Sequence, residues 1–170
     1  LLIKEDTMKK LVDHDAWIVP QAYIVSHEAN DGNPVFADPI QKNKMDQARA
    51  GSVNAFTWAK KYGAKVAWGT DMFGTRSAYD NTNLEFKARS EYYSNVEQLK
   101  QATSANGELV AMSGLKNPYV QGKLGVIEAG AYADMLIIDG NPIDDIMVML
   151  DYENNFKMIM KDGKVYKNTL

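Results

Sequence analysis

Apolar residues in the first part of the chain follow a helical spacing and then a short continuous run. In residues 5–14, Met8, Leu11 and Val12 fall on one face of a helix. Residues 16–19 form an apolar run that is too short for a helix and typical of a strand buried on both faces. The pattern predicts one helix followed by one strand of a parallel sheet.

A second helix and strand are marked by the residues at their ends. Asp38 is a suitable N-cap, Pro39 suits the first helical position, and Gly63 is placed to end the helix. A second apolar run, residues 65–69, predicts a strand, and Thr70-Asp71 follows it directly. This alternation predicts right-handed crossovers and a parallel sheet, which is an α/β fold.

Three further helices are predicted before residue 115. Their apolar spacing places them at residues 83–93, 95–103 and about 104–112. Ser94 and Glu97 have the spacing of a capping box at the start of the second of them.

The pattern changes at about residue 115, where closely spaced strands replace the helices. The predicted strands are residues 124–127, 133–139, 156–160 and 165–166. The turn residues Asp162 and Gly163 join the last two as a hairpin. We therefore divide the chain into residues 1–114 and a mainly β part, residues 115–170, whose strands lie outside the parallel sheet.

Composition excludes several classes of function. The 170 residues contain no cysteine, which excludes disulfide scaffolds, thiolate zinc sites and cysteine nucleophiles. The net charge of -3 does not favour nucleic acid or an anionic membrane as a partner. The chain begins at Leu1 inside a periodic segment, so we interpret it as a fragment of a longer protein.

Asp71 is the strongest candidate for a functional residue. Functional groups of α/β proteins gather where parallel strands end at their carboxyl side, and Asp71 stands directly after the second predicted strand. Gly69 permits close approach to the backbone there. The alternative is that Asp71 only caps the turn or helix that follows.

Three stretches of sequence carry a family resemblance. Gly69-Thr70-Asp71 is followed about fifty residues later by Asn117-Pro118-Tyr119 and by the pattern G-x-I-x-x-G-x-x-A-D-x-x-x-x-D-G-N-P, which ends at Pro142. Together they resemble the C-terminal portion of the amidohydrolase superfamily. The most similar branches are the imidazolonepropionase-like and Xaa-Pro dipeptidase-like enzymes.

The resemblance implies a specific architecture. The family fold is a (β/α)8 barrel with a small β-sandwich, so residues 1–114 would be the last β/α units of the barrel. Residues 115–170 would be the C-terminal part of a composite sandwich. Residues 16–19 match barrel strand 7, and Asp71 matches the aspartate of strand 8, which is both a metal ligand and catalytic in the family.

The resemblance also implies a metal-dependent reaction at C–N bonds. We expect one or two divalent metal ions, zinc first, in the full-length enzyme, with the histidine and lysine ligands upstream of Leu1. The expected substrate is a small molecule or dipeptide, and the 170-residue chain alone is expected to be inactive. We also expect a homo-oligomer or association with the missing N-terminal part. Two alternatives stay open: a deaminase of the same superfamily, or a non-catalytic binding or assembly module.

The other candidate side chains have simpler explanations. His14 follows the first helix, where it suits the negative end of the helix dipole. His27 follows the first strand on the expected catalytic side, where it could contact substrate, but a solvated loop histidine is the preferred interpretation. Met72 and Phe73 could line a substrate pocket or simply pack within their loop.

Overall fold

The computed structural model describes residues 3–72 and 76–170. It divides into two compact units, Leu1–Tyr92 and Tyr93–Leu170. No helix within the described ranges is long and apolar enough to cross a membrane.

The first unit alternates helices with two short strands. Its elements in chain order are α1 (Glu5–Asp13), β1 (Trp17–Ile18), α2 (His27–Asn30), a 3₁₀ turn (Pro34–Ala37), α3 (Pro39–Tyr62), β2 (Lys65–Val66), α4 (Arg76–Asp80) and α5 (Leu84–Arg89). β1 and β2 pair in parallel, with Trp17 opposite Lys65 and Ile18 opposite Val66. The predicted α/β alternation with a parallel pair is confirmed.

Helix α3 has the ends that its sequence predicts. The Asp38 carboxylate accepts hydrogen bonds from the N–H groups of Ile40 and Gln41 at 2.8 and 3.1 Å. Gly63 closes the helix in the left-handed conformation, with φ of 64°. Phe56 and Ala59 are buried on its inner face, together with Met8 of α1. This packing holds the helix against the core of the unit.

The second unit begins with a helical stretch and ends in a small sheet. Its elements are α6 (Asn95–Lys100), a π-helical turn (Gln101–Ala105), α7 (Asn106–Ala111), 3₁₀ turns (Gly114–Lys116 and Ile146–Met149), β3 (Met135–Ile138), α8 (Tyr152–Asn155), β4 (Phe156–Lys161) and β5 (Lys164–Asn168). The predicted capping box of Ser94 and Glu97 is present. Strands β3, β4 and β5 form an antiparallel sheet in that order, as expected for the tail.

One predicted strand is wrong. Residues 124–127 form bends rather than a strand, and Gly125 has φ of +70°. A Cβ on Gly125 would lie 2.3 Å from the backbone of Thr103, and one on Gly107 would lie 2.2 Å from the carbonyl oxygen of Leu124. The segment therefore packs its backbone directly on the helical stretch. A short, mainly apolar segment between turn residues favoured a strand, whereas the glycines permit this closer contact.

Candidate functional site

The carboxyl ends of β1 and β2 lie at the same edge of the first unit. The pairing extends one residue beyond β2, because the N–H of Ala67 donates to the carbonyl oxygen of Ile18 at 3.0 Å. The chain leaves β1 through residues 19–26 and leaves β2 through residues 67–72. These two loops form the candidate site, because parallel strands present functional groups at this edge.

Asp71 lies in the second of these loops with its side chain exposed. Its φ is 53°, a conformation that costs free energy in a residue with a side chain. Two other non-glycine residues in the described ranges have positive φ, and each has a structural reason. Asp15 follows the end of α1, and Asp162 forms the turn between β4 and β5. Asp71 follows a parallel strand instead, so its conformation is consistent with a functional placement.

Gly69 brings the two loops into contact. A Cβ built on Gly69 would lie 2.6 Å from Cγ1 of Val19, which follows β1. Non-bonded carbon atoms do not approach this closely, so a Cβ at this position would force the Val19 side chain to move. The close approach expected at Gly69 is therefore real, and the group that approaches is the neighbouring loop of the same chain.

A buried ion pair lies beneath the same loops, and the sequence pattern did not predict it. Glu85 and Arg89 are one turn apart on α5, and their side chains are 1% and 0% exposed. The Nε of Arg89 donates to Oε1 of Glu85 at 2.7 Å. The only signal in the sequence is an oppositely charged pair four residues apart, a spacing that is also common on solvated helix faces.

The two side chains of this pair bind the backbone of both loops. Glu85 accepts hydrogen bonds from the N–H groups of Ala22 and Tyr23 at 2.9 and 2.8 Å. Arg89 donates to the carbonyl oxygen of Pro20 at 2.6 Å. It also reaches the carbonyl oxygens of the second loop, at 3.3 Å for Ala67 and 3.4 Å for Gly69.

Aromatic rings and burial complete the surroundings of the pair. The Arg89 guanidinium lies 4.6 Å from the ring centroid of Trp68 and 5.2 Å from that of Phe56. Burial raises the pKa of the Glu85 carboxyl, while the Arg89 guanidinium and the N–H groups of Tyr23 and Ala22 act in the opposite direction. The pair thus combines charge, hydrogen bonds and ring stacking in a space that excludes water.

The two histidines lie in exposed positions. His14 is the C-cap residue of α1, as its place after the predicted helix indicated. His27 begins α2 in the loop after β1, and its Nδ1 lies 3.0 Å from Oδ1 of Asp31. Met72 is half-buried, and Phe73 lies outside the described residues.

Residues suited to a divalent metal are sparse in the described part of the chain. No group of three or more His, Cys, Asp or Glu side chains is gathered there. The exposed Asp71 carboxylate has the donor chemistry of a single ligand for a divalent cation. A closed site around it needs additional ligands from beyond the described residues.

The fold and this edge define the class of the protein before any comparison. It is an α/β protein whose candidate groups stand at the carboxyl ends of parallel strands. The chain belongs to the amidohydrolase family, whose sequence model matches residues 3–166. The superfamily indicated by the Gly-Thr-Asp and tail motifs is thereby confirmed. No curated protein matches the chain.

Solved structures similar to this chain agree with the family. One, described as an amidohydrolase, has a TM-score of 0.79 and 28% identity over 99% of this chain and 38% of its own. A prolidase crystallised with N-methylphosphonate-L-proline has a TM-score of 0.76 and 29% identity, covering 98% of this chain and 38% of its own. An ochratoxinase from A. niger, with a TM-score of 0.76 and 21% identity over 98% of this chain and 35% of its own, shares the fold.

This chain corresponds to only part of the solved structures that it resembles. This chain spans 38% of the length of the first amidohydrolase structure. The α/β fold of the described residues is shared with these structures, and a complete (β/α)8 barrel with a β-sandwich is not seen within those residues.

Proposed function

We propose that this chain is the C-terminal part of a metal-dependent amidohydrolase that hydrolyses C–N bonds, with Xaa-Pro dipeptides as the leading substrates. The observation that carries the proposal is the placement of Asp71. It follows a parallel strand in an α/β unit of amidohydrolase sequence, is exposed, and has φ of 53°. We propose that the remainder of the full-length protein supplies the rest of the barrel and the other metal ligands.

Asp71 has two parts in the proposed reaction. Its carboxylate is one of several ligands for a divalent metal in the full-length protein, and zinc is the first candidate for that metal. When bound there, such a metal lowers the pKa of a water molecule toward about 7 and polarises the amide carbonyl. The Asp71 carboxylate also accepts the proton from the attacking water and delivers it to the leaving amine.

Two observations support Xaa-Pro dipeptides as substrates. The prolidase with the proline phosphonate is 29% identical over 98% of this chain. The resemblance of the sequence to the Xaa-Pro dipeptidase-like branch points the same way. Dipeptides that end in proline, dipeptides that end in leucine, and N-acetyl-proline therefore form the first assay panel.

Asp71→Asn in the full-length protein tests the proposal. The substitution keeps the volume of the side chain but removes its charge and its capacity to accept a proton. We expect turnover to fall by about 10²–10⁴-fold, the usual contribution of general acid–base catalysis, with further loss if metal binding weakens. Steady-state kinetics with the dipeptide panel, with and without a chelator, provide the measurement.

Asp162→Asn is the matched control. Asp162 is also exposed and has positive φ, 49°, but it lies in the turn between β4 and β5. Its variant should stay within about twofold of wild type, because surface substitutions of this kind change little. Asp71→Asn turnover within about tenfold of wild type would contradict the proposal, since a catalytic carboxylate contributes more than that. Ammonia release from amino-substituted rings, without peptide cleavage, would instead indicate a deaminase.

A further inference from the structure

Helix α5 places a charged pair under both loops of the candidate site, although the proposed reaction assigns the pair no role. Glu85 holds the first loop through the N–H groups of Ala22 and Tyr23, and Arg89 holds carbonyl oxygens of both loops. We infer that Glu85 and Arg89 are positioning residues, which hold the backbone of both loops so that the Asp71 carboxylate stays in its reactive place. The inference rests on the proposed function of Asp71.

The contact at Gly69 connects the pair to Asp71. Arg89 Nη2 lies 3.4 Å from the carbonyl oxygen of Gly69, two residues before Asp71, and 2.6 Å from that of Pro20 in the other loop. One guanidinium nitrogen therefore links the two loops. A displacement of either loop changes the direction in which the Asp71 side chain leaves the backbone.

Several contacts hold the segment on which Asp71 stands, where φ is 53°. Positive φ costs free energy in a residue with a side chain, and aspartate adopts it more readily than most. Val19 packs against Gly69 from the side, and Arg89 binds the same segment from beneath. Together these contacts restrict the backbone on which Asp71 stands.

Stability alone is a weak reason for a buried pair of this kind. Apolar side chains of similar volume often replace a buried ion pair without loss of stability. The geometry requires a planar group with several donors, because Arg89 donates hydrogen bonds to Glu85, to Pro20 and to the second loop at the same time. A lysine provides the charge but not the fork of donors.

Arg89→Lys and Arg89→Met in the full-length protein test the inference. We expect kcat to fall by about 10- to 100-fold with KM within about threefold, because small misplacements of a reacting group carry costs of that size. Hydrogen–deuterium exchange of peptides covering residues 17–23 and 66–72 should become faster in both variants. A peptide covering residues 156–168 should exchange as in wild type.

Lys87→Met is the matched control on the same helix. Lys87 is exposed and pairs with Glu28 at 2.9 Å, so the variant also removes one cation and one ion pair from α5. Its kcat and the exchange of the loop peptides should stay at wild-type values. A thermal melt of each variant shows whether the fold is retained.

Three results would overturn the inference. The first is kcat within about threefold of wild type in both Arg89 variants, which is too small an effect for a positioning residue. The second is unchanged exchange in the loop peptides. The third is loss of folding in both variants, which would show that the pair stabilises the unit instead. The proposed function fails separately if the wild-type enzyme shows no amide hydrolysis that a chelator removes. In that case the exchange measurement still tests whether the ion pair holds the two loops.

Discussion

At the scale of single residues, the candidate site depends on the absence of a side chain at Gly69. Val19 occupies the space that a Cβ of Gly69 would need, at 2.6 Å from its Cγ1. Val19 is itself 36% exposed, so its outer atoms contribute little to the core. Substitutions at the two positions can therefore measure the free energy of this one contact.

Gly69→Ala should lower the free energy of unfolding by about 1–3 kcal/mol, the usual cost of forcing extra atoms into a packed site. In the Val19→Ala background the same change should cost much less, because the clashing Cγ1 is gone. Chemical denaturation of the two single variants and the double variant gives the coupling. Strictly additive effects would show that Gly69 is required for another reason.

The residue scale also shows why part of the site was predictable. Asp71 could be singled out because its place after an apolar run is a local property of the sequence. Glu85 and Arg89 could not, since their burial depends on one loop that lies 62 to 69 residues away along the chain and on a second that lies 20 to 22 residues away. Two oppositely charged residues four positions apart have the same sequence spacing whether they lie on a solvent-exposed surface or in a buried interior.

At the scale of elements, capping residues predicted both ends of α3 and the start of α6, whereas the helix predicted at residues 83–93 ends at Arg89. Asp38, Gly63 and the pair Ser94 and Glu97 act through backbone groups a few residues away, so their roles follow from sequence spacing. The error at residues 124–127 has the opposite origin. Glycines at 107 and 125 allow two distant segments to meet backbone to backbone, and no local pattern reports that contact.

Asp38→Ala should reduce the free energy of unfolding by about 1 kcal/mol, the typical value of an N-cap side chain. The physical reason is the loss of two hydrogen bonds to the N–H groups at the start of α3. Lys44→Ala is the control, because Lys44 is exposed on the same helix. Equal denaturation midpoints for Asp38→Ala and wild type would show that α3 does not depend on this cap.

At the scale of the whole molecule, the chain combines an α/β unit with a unit that carries a three-stranded antiparallel sheet. The match to the amidohydrolase family covers residues 3–166 and so extends over both units. The division at residues 114 and 115 stays a prediction from the sequence. The sequence could not predict further ligands for the proposed metal, because no group of three or more His, Cys, Asp or Glu side chains is gathered in the described ranges.

The central claim is that Asp71 binds a catalytic divalent metal in the full-length protein. X-ray diffraction from its crystals grown with zinc, with data collected above and below the zinc absorption edge, tests this claim most directly. We expect an anomalous peak about 2.0–2.2 Å from a carboxylate oxygen of Asp71, the usual distance from zinc to a carboxylate ligand. A fully occupied zinc site elsewhere in the protein, with the Asp71 carboxylate making no contact to the ion, would contradict it.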